Sequence, residues 1–265
     1  MGQLRSVPAL DTLLRRDRAI VGGALVAIAL VAWLYLFHLS RAMPGMNMAD
    51  MPGMAMSPDH AWGVVDVALL FVMWAAMMIA MMVPAAAPMV LTFAMVQRKQ
   101  REQDRASIPT VVFLLGYAVV WTGYAAVAAL AQWQLHEADL LSIAMVSASA
   151  WLGGALLLVA GVFQWTSLKQ ACLAKCRSPL SFLMTEWREG PTGAFVMGAR
   201  HGAYCVACCW ALMALLFVVG VMNLLWVSGL AVFVLAERVL PGGPAVSRAA
   251  GALLVVTGVF ILIWG

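Results

Sequence analysis

The feature that most constrains this chain is a series of long apolar runs with almost no charge inside them. A bilayer core of about 30 Å is crossed by roughly 20 consecutive apolar residues in a helix. Seven segments are read as such spans: about Ala19–Leu39, about Pro58–Val83 with an apolar continuation to Val96, about Ile108–Trp133, about Leu140–Trp165, about Thr192–Val221, Asn223–Leu240 and Pro244–Trp264. The composition agrees. With 64% apolar and 11% charged residues, the chain lies far from the averages of soluble domains, and neither a soluble fold nor long disorder fits. A transmembrane β-barrel would alternate in short segments instead. The expected fold is an all-α, polytopic transmembrane helix bundle of about seven spans, forming one domain over residues 1–265.

Lys and Arg set the expected orientation. Arg5, Arg15, Arg16 and Arg18 precede span one; Arg98, Lys99, Arg101 and Arg105 follow span two; Lys169, Lys175, Arg177 and Arg188 follow span four; Arg238 and Arg248 bracket the loop after span six. Only Arg41 falls on the opposite side. This asymmetry predicts a cytoplasmic N-terminal tail (1–18), a periplasmic loop (40–60), a cytoplasmic loop (167–191) and an external C-terminus. The first apolar run is too long for a signal-peptide core and lacks a clear cleavage site, so it is read as an anchor. Pro84 and Pro88 interrupt the second run. Each lacks a backbone donor, which predicts a kink or stop near Ala80–Val83, followed by a kinked continuation or a re-entrant piece over 84–97.

The 40–60 loop contains a doubled motif, MPGMNM at Met43–Met48 and MPGMAM at Met51–Met56. Pro and Gly deny Met43, Met46, Met48, Met51, Met54 and Met56 a regular element in which to act as core. Thioether sulfur is soft and neutral, and it selects Cu(I) or Ag(I) over hard cations. Contact with lipid is the plainer alternative. Asp50, Asp59 and His60 are candidates for capturing oxidised copper, although Asp59 also suits a helix N-terminus.

Within span two, Met73, Met77 and Met81 are spaced i, i+4, i+8, and Met78 and Met82 form a second row. A helix stacks each set about 6 Å per step, close enough to pass an ion along. Adaptable packing explains the same rows, and both readings stay open. Asp66 is an intramembrane acid near the outer end, shallow enough to reach water.

All five cysteines fall in two clusters: Cys172 and Cys176 beyond span four, and Cys205, Cys208 and Cys209 inside span five. His201, Cys205 and Cys209 share one helical face, with Cys208 beside Cys205. Cys205 lies roughly 20 Å from Thr192 along the axis, near the middle of the membrane. His201 is too far from Cys209 for both to bind one ion, so Cys205 with Cys208 or Cys209 is the expected thiolate pair and His201 a neighbouring step. Inert packing and redox chemistry are the alternatives. An odd count, a vicinal pair and a cytosol-facing loop argue against structural disulfides. Gly198-x3-Gly202 invites a close neighbouring helix. Arg200 is expected to snorkel to the inner boundary, with activation of nearby thiols as its alternative role.

These residues resemble a bacterial family of metal-binding integral membrane proteins of unknown function, often labelled copper chaperones. The resemblance rests on MWAAMMIAMMVPAAAP (Met73–Pro88), on Gln164, Lys169, Cys172, Cys176 and Pro179, on GPTGAFVMGARHGAYCVACCWALM (Gly190–Met213), on Met222–Asn223 and on AERVLPGG (Ala236–Gly243). Gly202–Trp210 is its most specific piece; the Met loop lies outside it. The resemblance implies a metal site within a bacterial inner membrane.

The expected function is therefore Cu(I) binding for copper acquisition, transfer or delivery to cuproenzyme assembly. Met43–Met56 capture the ion, the Met73–Met81 row passes it inward, Cys205, Cys208 and Cys209 hold it, and Cys172 and Cys176 receive it. No catalytic residue, nucleotide motif or nucleic-acid partner is assigned. The expected partners are the lipid bilayer and a periplasmic or cytoplasmic copper-binding protein. The competing classes are a membrane thiol-disulfide oxidoreductase and a structural subunit of a respiratory or copper-oxygenase complex.

Overall fold

The computed structural model describes residues 8–42, 63–102, 108–138, 149–221 and 223–264. The Met-rich loop, including Met43, Met46, Met48, Met51, Met54 and Met56, lies outside the described residues. Every regular element among the described residues is a helix: α1 (Pro8–Ala42), α2 (Val64–Glu102), α3 (Thr110–Glu137), α4 (Ala150–Phe163), α5 (Ser167–Arg177), α6 (Pro179–Glu186), α7 (Gly190–Ala214), α8 (Leu216–Val219), α9 (Leu224–Val239) and α10 (Gly243–Trp264).

Among the described residues, five helices are long and apolar enough to cross a membrane: α1, α2, α3, the α7–α8 stretch and α10. The α4–α5 pair makes a sixth if it is taken as one broken span. The segment expected as span six is α9, whose 16 residues fall short of a full crossing. The segment expected as span four, of which 140–148 lie outside the described residues, ends at Phe163, close to the expected Trp165, and the chain there turns by 65° into α5. The side-chain oxygen of Thr166 accepts from the Lys169 backbone N–H at 3.3 Å, capping the new helix. Residues 167–186, expected within a loop, are thus the helices α5 and α6. The outward faces remain apolar: on α10, Leu253, Val256, Phe260 and Ile263 are exposed. Such surfaces are stable against lipid rather than water.

Of the two expected courses at Ala80–Val83, the helix continues rather than stops: α2 runs through Pro84 and Pro88. Pro84 cannot donate to the Ala80 carbonyl one turn back. That carbonyl instead accepts the Trp33 indole N–H from α1 at 3.1 Å. A neighbouring helix supplies the missing donor, so the break is not needed. With 39 residues at about 1.5 Å each, α2 is roughly 58 Å long, about twice the hydrocarbon core. The stretch after Pro84 is the far part of this helix and not a re-entrant piece.

The main interfaces are α3 with α7, α4 with α10, α1 with α2 and α2 with α3; α5 lies against α7. The α3–α7 contact is backbone on backbone. A Cβ at Gly198 would collide with the Phe113 carbonyl, and one at Gly116 with the Phe195 carbonyl. The close neighbour invited by Gly198-x3-Gly202 is therefore α3.

Candidate functional site

Helix α7 places Cys205, Cys208 and Cys209 on its buried face, with exposures of 2% or less. Both Cys208 Sγ (3.1 Å) and Cys209 Sγ (2.9 Å) point back to the Cys205 carbonyl, as i+3 and i+4 side chains in a helix do. From α5, the buried Cys176 comes up beside Cys208, and Cys172, also buried, lies one turn earlier on the same helix. All five cysteines are free thiols. The two sequence clusters thus converge: Cys176 joins the site inside the bundle rather than waiting in an inner loop.

The α9 residue Arg238 supplies the charge at this site. Its Nη2 lies 2.9 Å from Cys205 Sγ, 3.6 Å from Cys208 Sγ and 3.9 Å from Cys209 Sγ. Its Nη1 donates to the Ala85 carbonyl of α2 at 3.4 Å. Tyr117 of α3 completes the cluster. Its hydroxyl lies 3.1 Å from Cys205 Sγ and donates to the Met82 carbonyl of α2 at 3.1 Å.

One turn before Cys205, His201 is buried among rings. Tyr117 stacks on it at 5.7 Å between centroids, and Phe113 and Phe182 flank it. Its Nδ1 has no hydrogen-bond partner.

A second buried charge lies beside Arg238 along α9. Glu237 accepts both bonds of the Lys169 ammonium, at 2.8 and 3.0 Å, and neither side chain reaches solvent. Arg177 at the end of α5 donates to the carbonyls of Leu240 (2.7 Å) and Pro241 (3.2 Å) and also to that of Glu237. It donates to carbonyls at and just beyond the end of α9, and it ties α5 to α9. These bonds hold Arg238 in register with the cysteines.

A family model described as copper chaperone, PpoB2, matches residues 71–261. The chain belongs to this copper chaperone family. The match runs from α2 through α10 and so contains every residue of the cluster, which makes this a copper-related helical membrane protein. No curated protein and no solved structure matches the chain.

The Met rows are inside the bundle. Met73, Met77, Met78, Met81 and Met82 are each at most 1% exposed, so none faces lipid. Helix α2 packs chiefly on α1 and α3, and the links from α2 to Cys205 run through Tyr117 and Arg238.

Among the described residues, no three His, Cys, Asp or Glu side chains converge in a geometry that holds a metal ion. The reason is local. The guanidinium lies among the sulfurs, and Cys208 and Cys209 turn toward a carbonyl. Ligation requires those thiols to rotate off the Cys205 carbonyl toward a shared ion.

Arg200, expected chiefly to snorkel, is not the arginine beside the thiols. Arg200 is partly exposed and pairs with Glu186, whereas Arg238, read as a loop charge, is buried on α9. Lys169, also read as a loop charge, is buried too. The available signal was Glu237–Arg238 at the end of an apolar run, since ionisable residues within a membrane segment mark function. Tyr117 carried no such signal.

Proposed function

We propose that this protein carries Cu(I) through or within the bacterial inner membrane and delivers it to a cuproenzyme assembly step, acting as a carrier and not as an enzyme. The observation that supports this reading is the convergence of Cys176, Cys205, Cys208 and Cys209, all free thiols, beside a buried guanidinium in a copper chaperone family member. Soft thiolates favour Cu(I) over harder ions. Cys205 and Cys208 form the tight site, Cys209 and Cys176 offer exchange positions, and Cys172 and His201 flank the route. The buried Met73, Met77 and Met81 supply weaker sulfur on the side toward the Met43–Met56 loop. The Lys and Arg asymmetry supports a cytoplasmic N-terminus and a periplasmic Met loop; setting aside the buried Lys169 and Arg238 leaves it strong. A periplasmic donor and a cytoplasmic or membrane acceptor of copper are the partners this direction asks for.

The test is Cu(I) titration of the reduced, detergent-solubilised protein against a competing chelator. The expected result is at least one tight site that is lost in the Cys205→Ser, Cys208→Ser double variant. Unchanged stoichiometry and affinity in that variant, or no copper bound by the wild type, would reject the reading.

A further inference from the structure

Arg238 is a buried cation whose counter-charge has to come from the sulfurs. Among the described residues no carboxylate pairs with it; its partners are the three cysteine sulfurs of α7 and the Ala85 carbonyl. The nearest buried acid, Glu237, is engaged by both of its oxygens with Lys169. That pair is neutral as a unit, which leaves Arg238 to set the charge of the cluster. An isolated charge in an apolar interior is strongly disfavoured, so the occupied site is most stable when the whole set sums to zero.

We infer that Arg238 makes the cysteine site selective for a monovalent soft cation held by two thiolates, and disfavours divalent ions. This rests on the proposed copper-binding reading and specifies the ligand charge of that same site. One +1 ion with two thiolates carries a net charge of −1, which the guanidinium at 2.9 Å from Cys205 Sγ balances. A divalent ion with the same two thiolates is neutral, and it leaves the guanidinium uncompensated in the bundle. A third thiolate could restore balance for a divalent ion. That third thiolate would be Cys209, which would have to leave the Cys205 carbonyl, or Cys176, which would have to come in from α5 beside Cys208 and give up its thiol proton to bind the same ion. The softness of sulfur selects copper-like metals in general; the fixed cation adds a choice by charge. Arg238 is thus a positioning and specificity residue, not a ligand.

The experiment measures the affinities of Ag(I) and Cd(II) by equilibrium competition on the full-length reduced protein in detergent, for the wild type, Arg238→Met and Arg238→Lys. The expected result is that Arg238→Met lowers the Ag(I)-to-Cd(II) affinity ratio by about tenfold or more while one metal per chain still binds. Arg238→Lys, which keeps the charge, holds the ratio within about threefold. A wild-type ratio in a metal-binding Arg238→Met protein overturns the inference. If Arg238→Met does not fold, the wild type alone still decides, because equal uptake of Ag(I) and Cd(II) by the wild type also overturns it. A wild type that binds neither ion rejects the copper-binding reading itself, a result distinct from binding without charge preference.

Discussion

Two helices carry rows of soft sulfur, and their surroundings differ in kind. On α2, Met73, Met77, Met78, Met81 and Met82 are sealed in the apolar core, and among the described residues no donor reaches their sulfurs. On α7, Cys205, Cys208 and Cys209 are as deeply buried but meet a guanidinium, a phenol and another thiol. A thioether is never anionic and packs as a flexible apolar group. A thiol becomes an anion when it binds metal, and in an apolar bundle an anion requires a cation placed beforehand. The α2 row therefore depends on shape alone, whereas the α7 row depends on elements α3, α5 and α9 being held in place.

That contrast is open to attack from both sides. The largest effect is expected at the buried ion pair that anchors the charged end of α9. Glu237→Gln leaves the Lys169 ammonium without a counter-charge and should cost about 3–5 kcal/mol. Thermal unfolding in detergent checks this, and a melting temperature equal to wild type would show that α9 is held by apolar packing alone. Next is the α3–α7 contact. Gly198→Val drives a side chain into the Phe113 carbonyl and should cost about 3 kcal/mol, whereas Gly123→Ala, with open space around its Cβ, should be close to neutral. Equal melting temperatures for these two variants would remove the backbone contact as the device that positions the cysteines.

A smaller loss is expected on the α2 side. Trp33→Phe removes the donor to the Ala80 carbonyl freed by Pro84 and should cost about 2 kcal/mol. Amide exchange around Pro84 reports it directly, and unchanged protection there would mean the carbonyl finds another donor. The smallest effect belongs to the methionines themselves. Met73→Leu, Met77→Leu and Met81→Leu nearly conserve volume, so each should cost less than about 1.5 kcal/mol. The triple variant should leave the tight Cu(I) affinity within about threefold while slowing loading from outside. A tenfold loss of affinity would instead put thioethers in the tight site and erase the distinction between the rows.

Much of the bundle was legible because a helix that crosses lipid must satisfy its backbone internally and show apolar residues outward. Such runs stand out in α1, α2, α3, α7 and α10. The end of the fourth run, expected at about Trp165 and found at Phe163, was legible; the helices α5 and α6 beyond it were not, because that stretch reads as a charged loop and its first helix depends on a local Thr166 cap. The continuation of α2 past Pro84 was one of two readings the sequence left open, and the support that decides it was not legible. It depends on Trp33, 47 positions earlier in the chain. At the site, the face shared by His201, Cys205 and Cys209 followed from helical spacing, since i and i+4 side chains stack wherever the helix lies. Arg238 was missed because positive charge near the end of an apolar run ordinarily marks a loop at the cytoplasmic surface.

By itself, the sequence determined that this chain forms apolar helices, that its cysteines share a helical face, and that its span-two methionines form rows. Those are properties of one helix at a time, set by residue type and the 3.6-residue period. The tertiary structure alone decided which cation meets the thiols. Arg238 lies 33 positions from Cys205 and reaches it from a different helix. Glycine contacts between α3 and α7, and Arg177 bonds from α5 to the end of α9, bring those helices into register. Charge compensation in an apolar interior acts over a few ångströms, and sequence spacing carries no information about which distant side chain lies within that reach.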